Sequence, residues 1–253
     1  MPKLLFNRPR EFIEDRLKKV DLVCVDLDKC LFPFFSQTFV GICMCLETLV
    51  NPFQWKYLSQ LLRGARFIVP ATIKNLLGGR RSNNDCFMDK YEEVMCGVPV
   101  SLIRRHSRCL HNFLCPYSLR FLKTFADRKT PVAILSLSIQ PILQVLEEKI
   151  GFIECIGNKV ELNKNSATFY RYGMNRMKYG KDKLESLKDL MKNYRAKTPL
   201  IIGHSKDEMP MVEYSRKLTG LSIGINPEDN LLNGFDVVLK SLSWSPLLQL
   251  VEF

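Results

Sequence analysis

One short segment limits the folding options of this chain more than any other. Val23-Cys24-Val25 is an apolar run, and Asp26-Leu27-Asp28 follows it at once. A run of this kind reads as a buried strand. The two acids stand at i and i+2 where that strand should end. Side chains alternate along a strand, but beyond its end the backbone turns, and both carboxylates can crowd one point. Open α/β sheets place their ligands at that carboxyl edge. Crowded carboxylates repel, so they imply a cation, a shared proton or a reaction.

The rest of the chain supplies partners for that strand. Short apolar segments at 131–136, 199–202, 221–225 and 236–239 read as further strands, with 152–156 and 159–162 as shorter candidates. Helical periodicity is expected at 3–19, where Phe12, Ile13 and Leu17 share one side, and at 117–128, 141–149, 181–194 and 209–217. Short strands alternating with helices predict a parallel, doubly wound, Rossmann-like α/β sheet. Residues 33–115 are mostly helical in pattern, broken at Pro52, Pro70, Gly78-Gly79 and Pro99. That block is too long for a crossover. It is expected to be an inserted, mainly α-helical cap (32–115) on an α/β core (1–31 and 116–253).

Composition narrows the class of partner. The 253 residues are 46% hydrophobic, ordinary for a globular protein with a sizeable core and too apolar for disorder. The formal net charge is +11, which favours anionic partners such as phosphorylated metabolites, nucleic acid or anionic lipid. The charge is uneven: from Lys29 to Asn84 there are seven Lys/Arg and one acid, Glu47. Nine cysteines without a C-x-x-C pair predict free thiols and a reducing, cytoplasmic setting. The first twenty residues lack the continuous apolar core of a signal peptide. Residues 30–46 carry no charge, yet Pro33, Ser36, Gln37 and Thr38 interrupt them. They read as a cap helix, with a face resting on a membrane surface as the alternative, rather than a membrane span.

Polar residues also follow the later strands. Segment 131–136 leads into Ser136-Leu137-Ser138, and a hydroxyl there suits a phosphate oxygen. The helix near 181 begins Gly180-Lys181-Asp182-Lys183; a lysine near a helix start opposes the dipole and fits better facing an anion. Segment 199–202 leads into Gly203-His204-Ser205-Lys206-Asp207-Glu208, adding two acids at the same edge.

Taken in order, these four stations resemble the haloacid dehalogenase superfamily of phosphohydrolases. The resemblance is closest to its phosphoserine-phosphatase-like branch, which carries a helical cap after the first motif. The family's D-x-D-x-T resembles Asp26-Leu27-Asp28-Lys29-Cys30, its second-motif hydroxyl Ser136, its third-motif lysine Lys183, and its G-D-S-x-x-D the 203–208 segment. In the same branch, 155–162 is similar to the strand pair before the lysine motif, and 223–227 to the strand after the fourth motif. The resemblance implies a phosphomonoester phosphatase whose substrate is set by the cap. Asp26 is then the nucleophile that forms an aspartyl-phosphate, and Asp28 the acid and base. Ser136 and Lys183 hold phosphoryl oxygens. It further implies Mg2+, with Mn2+ as an alternative, held by Asp26, the Asp28 carbonyl and a fourth-motif carboxylate from Asp207 or Glu208. The pattern departs at three places: His204 stands where the family has its first fourth-motif Asp, Cys30 stands for Thr, and Lys29 for the frequent glycine. Magnesium prefers oxygen ligands, so His204 points either to another acid as ligand or to a softer ion.

Two further clusters carry chemistry-bearing residues. His106, Cys109, His111 and Cys115 give an unusual zinc spacing, and partly buried cap residues are the expected alternative. Residues 61–81 carry Arg63, Arg66, Lys74, Arg80 and Arg81 among apolar residues, with Trp55 and Tyr57 nearby. They read as a solvated basic helix face or a lipid-facing surface. Three functions follow as expectations: a small-molecule phosphatase, a lipid-phosphate phosphatase with peripheral membrane contact through residues 30–81, and a catalytically weakened binding module. No specific nucleic-acid recognition is expected.

Overall fold

The computed structural model describes residues 3–51, 55, 57, 84–163, 167–174 and 176–251. The order along the chain is β1 (Lys3–Phe6), α1 (Arg10–Lys19), β2 (Leu22–Val25), α2 (Ser36–Val50), α3 (Asn84–Met95), α4 (Val100–Ser107), α5 (Ser118–Ala126), β3 (Val132–Ile139) and α6 (Gln140–Ile150). There follow β4 (Glu154–Asn158), β5 (Val160–Leu162), β6 (Phe169–Tyr172), α7 (Gly180–Tyr194), β7 (Pro199–Gly203), α8 (Met209–Lys217), β8 (Leu221–Ile225), β9 (Val237–Lys240) and α9 (Ser245–Leu248).

Seven strands form one sheet in the order β1-β9-β8-β7-β2-β3-β4. All neighbours are parallel except β1 against β9. From β2 the chain winds outward through β3 and β4; it then returns to β7 and winds the other way through β8 and β9. The switch point therefore lies between β2 and β7, where doubly wound sheets open their ligand crevice. Asp26 N–H donates to Ile202 O at 2.9 Å and locks these two strand ends together.

The strands are apolar at successive positions because both faces are covered. Val23, Val25, Val132 and Ile134 face one core, with Ile13 and Leu17 of α1 and Phe121, Leu122 and Phe125 of α5. Leu22, Cys24, Ala133 and Leu135 face the other, with Leu187, Leu190 and Met191 of α7 and Met211 and Val212 of α8.

Three local expectations are corrected. The first helix does not begin at residue 3: Lys3–Phe6 pairs antiparallel with β9. Pro9 excludes helix for the residue before it, so α1 starts at Arg10. The second core strand does not end at Ser136 but runs to Ile139, with a register shift against β4 after Leu135. A strand at Phe169–Tyr172 went unread, and it forms a separate two-stranded sheet with β5. This hairpin belongs with the helical block in space. Gly97 N–H donates to Phe169 O and Phe169 N–H to Val98 O, both at 2.8 Å. Tyr172 N–H donates to Glu92 Oε2 of α3 at 2.8 Å.

The whole of the basic stretch, residues 61–81, lies outside the described residues, as do the breaks at Pro52, Pro70 and Gly78-Gly79. Trp55 is exposed and Tyr57 half-buried. Among the described residues, no helix is long and apolar enough to cross a membrane.

Candidate active site

The site is built from three segments that meet at the switch point. Asp26 caps the end of β2. Lys183 comes from the first turn of α7, and this helix is started by its own sequence. Asp182 Oδ2 accepts hydrogen bonds from Lys178 N–H (2.9 Å) and Tyr179 N–H (3.0 Å), so a carboxylate at the third helical position reaches back over the helix start. Gly180 then packs directly on the loop after β7: a Cβ there would stand 2.2 Å from the Asp207 carbonyl oxygen. That approach carries the Lys183 ammonium into the site, where the side chain is buried.

Lys183 Nζ donates to Asp26 Oδ1 at 2.7 Å and to Glu208 Oε1 at 2.8 Å. The other oxygen of Glu208 holds its own loop. Oε2 accepts from His204 N–H (3.2 Å), Ser205 N–H (2.8 Å) and Ser205 Oγ (2.9 Å). Gly203 permits this fold-back, because a Cβ would meet Glu208 Cγ at 2.3 Å. His204 Nδ1 lies 3.1 Å from Asp26 Oδ2 and 3.9 Å from Glu208 Oε2. It is buried and makes no aligned hydrogen bond among the described residues.

The two first-motif acids sit in opposite electrostatic settings. Burial pushes the Asp26 carboxyl up, but the Lys183 ammonium, followed by His204, outweighs burial and holds it below the usual carboxylate range. Asp28 is two residues away. Burial, followed by the Asp26 charge, pushes its pKa up to about 6, and the Ser36 N–H bond opposes this only in part. Lys183 is held firmly protonated: burial opposes its charge, and Asp26 and Glu208 together overcome that.

Helix α2 closes the other side. Ser36 N–H at its start donates to Asp28 Oδ1 at 2.7 Å, and Ser36 Oγ bonds Ser138 Oγ at 3.0 Å. Gln37 Nε2 donates to Leu137 O at 3.2 Å, and Gln37 Oε1 accepts from Tyr172 Oη at 3.2 Å. Ser136 is buried on β3, two residues past the partner of Val25, and its Oγ accepts from Ser138 N–H at 3.1 Å.

The structure thus brings Asp26, Lys183, His204 and Glu208 into direct contact. Asp28 joins through the Asp26 loop, and Ser136 stands on the neighbouring strand of the same edge. Asp207 is buried in the β7 loop, but it is not among the acids that converge on Asp26. The grouping with metal-ligand spacing among the described residues is Asp26, His204 and Glu208, whose donor atoms lie within 4.8 Å of one another. A buried imidazole nitrogen that faces two carboxylates fits a divalent cation. The suggested zinc cluster is not assembled. His106 Nε2 pairs with Glu47 Oε2 at 2.5 Å, Cys109 Sγ donates to His106 O, Cys115 Sγ donates to Cys30 O, and His111 lies beside Asn112 at the surface.

Sequence reasoning missed Ser36, Gln37 and Tyr172. A signal for the first two existed: Ser36-Gln37-Thr38 is the polar interruption in an otherwise uncharged apolar run. In the structure these three side chains are buried at the start of α2, against the site.

Comparison with protein-family models matches residues 25–207 to the haloacid dehalogenase-like hydrolases. Comparison with curated protein sequences yields no match. Among solved structures, a HAD-family hydrolase from Salmonella enterica subsp. enterica serovar Typhi superposes with a TM-score of 0.66 at 15% identity, covering 91% of this chain and 70% of that one. A phospho-aspartyl intermediate analogue of phosphoserine phosphatase gives 0.64 at 14% identity, covering 91% and 98%. Cytosolic 5'-nucleotidase IIIB bound to cytidine gives 0.63 at 12% identity, covering 95% and 86%. At these identities the superpositions establish a shared fold.

Proposed function

Because the chain belongs to the haloacid dehalogenase-like hydrolases, we propose that it is a phosphomonoester phosphatase working through an aspartyl-phosphate on Asp26. The observation that carries this reading is the contrast between Asp26 and Asp28: one carboxylate is kept ionised by Lys183, and the other is poised for proton transfer. An ionised carboxylate is a nucleophile, and an acid with a pKa near 6 can both give and take a proton near neutrality.

In the first step an Asp26 oxygen bonds to phosphorus as the P–O bond to the leaving group breaks. The Asp28 carboxyl gives its proton to the departing oxygen. In the second step the Asp28 carboxylate takes a proton from water, the hydroxide oxygen bonds to phosphorus, and Asp26 leaves as a carboxylate. Lys183 and the Ser136 hydroxyl are assigned to the transferring oxygens, whose charge is stabilised mainly by positioned donors. A divalent cation, Mg2+ or Mn2+, would be held by Asp26 with His204 or Glu208, and would neutralise charge shared by the nucleophile and the phosphoryl group. The cap, residues 32–115, is assigned the choice of substrate, and the β5–β6 hairpin is its structural companion.

A panel of soluble phosphomonoesters, assayed with several divalent ions, tests the reading. Turnover that disappears in Asp26→Asn, together with base-labile, hydroxylamine-sensitive phosphate on the acid-quenched wild-type peptide containing Asp26, is the expected result. Absence of turnover under every condition leaves the binding-module reading in its place.

One observation favours a second substrate class. On α2, Ile42, Leu46, Leu49 and Val50 are 44%, 60%, 52% and 80% exposed and recur at helical spacing on one stripe. The first residue of the same helix, Ser36, donates its N–H to Asp28 Oδ1. A lipid phosphate reaching the site from a membrane surface would use such a stripe. Co-sedimentation with phosphatidylserine-containing vesicles, weakened in Leu46→Ser/Val50→Ser, is the outcome this second reading requires.

A further inference from the structure

The geometry points to a cation preference that departs from magnesium: the Asp26–His204 edge is built to hold a nitrogen-accepting first-row divalent ion such as Co2+ or Zn2+. The inference concerns ion binding without substrate, and it rests on the phosphatase reading only for the assumption that the centre takes a cation.

Three features of this chain carry it. The first is the donor that replaces an acid. His204 is at the position where the resembling motif has its first Asp, and its ring is buried against the carboxylates rather than turned to solvent. Its Nδ1 is shielded from solvent and makes no aligned hydrogen bond among the described residues. The group that this nitrogen faces is the Asp26 carboxylate, and a cation between them would take both as ligands.

The second is spacing. Two donors each ~2.1 Å from one ion stand about 3.0 Å apart at a right angle and about 3.4 Å apart at a tetrahedral angle. His204 Nδ1 and Asp26 Oδ2 are 3.1 Å apart. That separation is the one two ligands of a single ion have.

The third is what the other oxygens are doing. Lys183 occupies Asp26 Oδ1 and Glu208 Oε1. Glu208 Oε2 accepts three hydrogen bonds from its own loop. Asp26 Oδ2 is the carboxylate oxygen left facing the imidazole, and Glu208 supplies negative charge from 3.9 Å. This edge offers one oxygen and one nitrogen. Mg2+ demands near-octahedral oxygen ligation and sheds water reluctantly, whereas imidazole favours the later first-row ions.

The test uses the full chain stripped of metal and no substrate. Co2+ is titrated in, and its visible d–d absorption reports nitrogen ligation; bands that persist in Asp26→Asn belong to thiols elsewhere and are subtracted. Equilibrium dialysis against paired Mg2+ and Co2+, read by elemental mass spectrometry, gives the preference. The expected result is one equivalent of Co2+ dependent on Asp26, preferred over Mg2+ by on the order of tenfold or more. In His204→Asp that preference falls by about tenfold or reverses. His204→Gln, which keeps the side chain polar and of similar size, lowers Co2+ binding while circular dichroism stays unchanged, and it serves if the Asp variant fails to fold. Equal affinity for Mg2+ and Co2+ in the wild type would overturn the inference. So would a preference indifferent to residue 204, or no Asp26-dependent ion at all.

Discussion

Two acidic loops meet at the switch point of the sheet, and they use their carboxylates in opposite ways. The loop after β2 leaves its acids available for chemistry: Asp26 is ionised against Lys183 and His204, and Asp28 is raised toward neutrality. The loop after β7 uses Glu208 as a brace, with one oxygen on Lys183 and the other on three donors of its own loop. The residue type is nearly the same. The number and charge of the neighbours decide which carboxylate is held ionised, which is raised toward neutrality and which one holds a shape.

The sharpest way to break this comparison is to neutralise one acid in each loop. Asp26→Asn removes the proposed nucleophile and is expected to lower turnover by about 10^4-fold or more. Glu208→Gln keeps a carbonyl acceptor for the loop and should cost far less, on the order of 10^2-fold. Equal losses in a steady-state assay would mean that the two loops share one role.

Lys183→Met probes the bridge between them. It strands two buried carboxylates, and leaving buried charge unpaired costs roughly 3–5 kcal/mol. Urea denaturation at pH 7 reads this loss. The difference from wild type should shrink on acidification, as the stranded carboxylates take up protons.

Asp28→Asn sharpens the contrast within the first loop. A carboxyl with a pKa of about 6 in the folded chain, against 3.8 as its ordinary value, binds more protons folded than unfolded. Stability contributed by this group is therefore highest below pH 4 and falls as pH rises toward 6. The Asn variant should be more stable than wild type at pH 7, by on the order of 1–3 kcal/mol, with the gap closing near pH 4. If Asp28 is the acid, wild-type kcat/KM falls above about pH 6, as the proton is lost. A flat profile between pH 5 and 8 would remove Asp28 from that role.

The smallest effect is expected at Lys29. Its backbone is left-handed, with φ 58°, a conformation that glycine adopts at little cost. Lys29→Gly should raise stability by up to about 1 kcal/mol, less the contact of its ammonium 4.7 Å from the Phe35 ring. Thermal unfolding in parallel with Asp28→Asn ranks the two.

Much of this arrangement was legible before any coordinates. The core strands were readable because burial on both faces makes them continuously apolar, and Leu221–Ile225 and Met209–Lys217 lie where their patterns placed them. Lys3–Phe6 was not readable. An edge strand of four residues owes its state to pairing with β9; Pro9 marks where the helix begins, but nothing local says that the residues before it are a strand. Phe169–Tyr172 was missed for the same reason: Phe169 and Tyr172 are buried while the two residues between them are exposed, so the pattern does not alternate. Asp207 and Glu208 could not be told apart from their order. Fold-back of the loop over Gly203 brings Glu208 to Lys183.

By itself the sequence determined a doubly wound sheet with acids, a hydroxyl and a lysine at its carboxyl edge. Apolar continuity and helical period are local properties written into neighbouring residues. The tertiary structure alone decided which of those groups touch, because Asp26, Lys183 and His204 lie far apart in the chain and meet only where β2, α7 and β7 converge. It also decided their charge states, since burial and the nearest ion set a pKa. For that reason two aspartates separated by a single leucine emerge as different chemical groups.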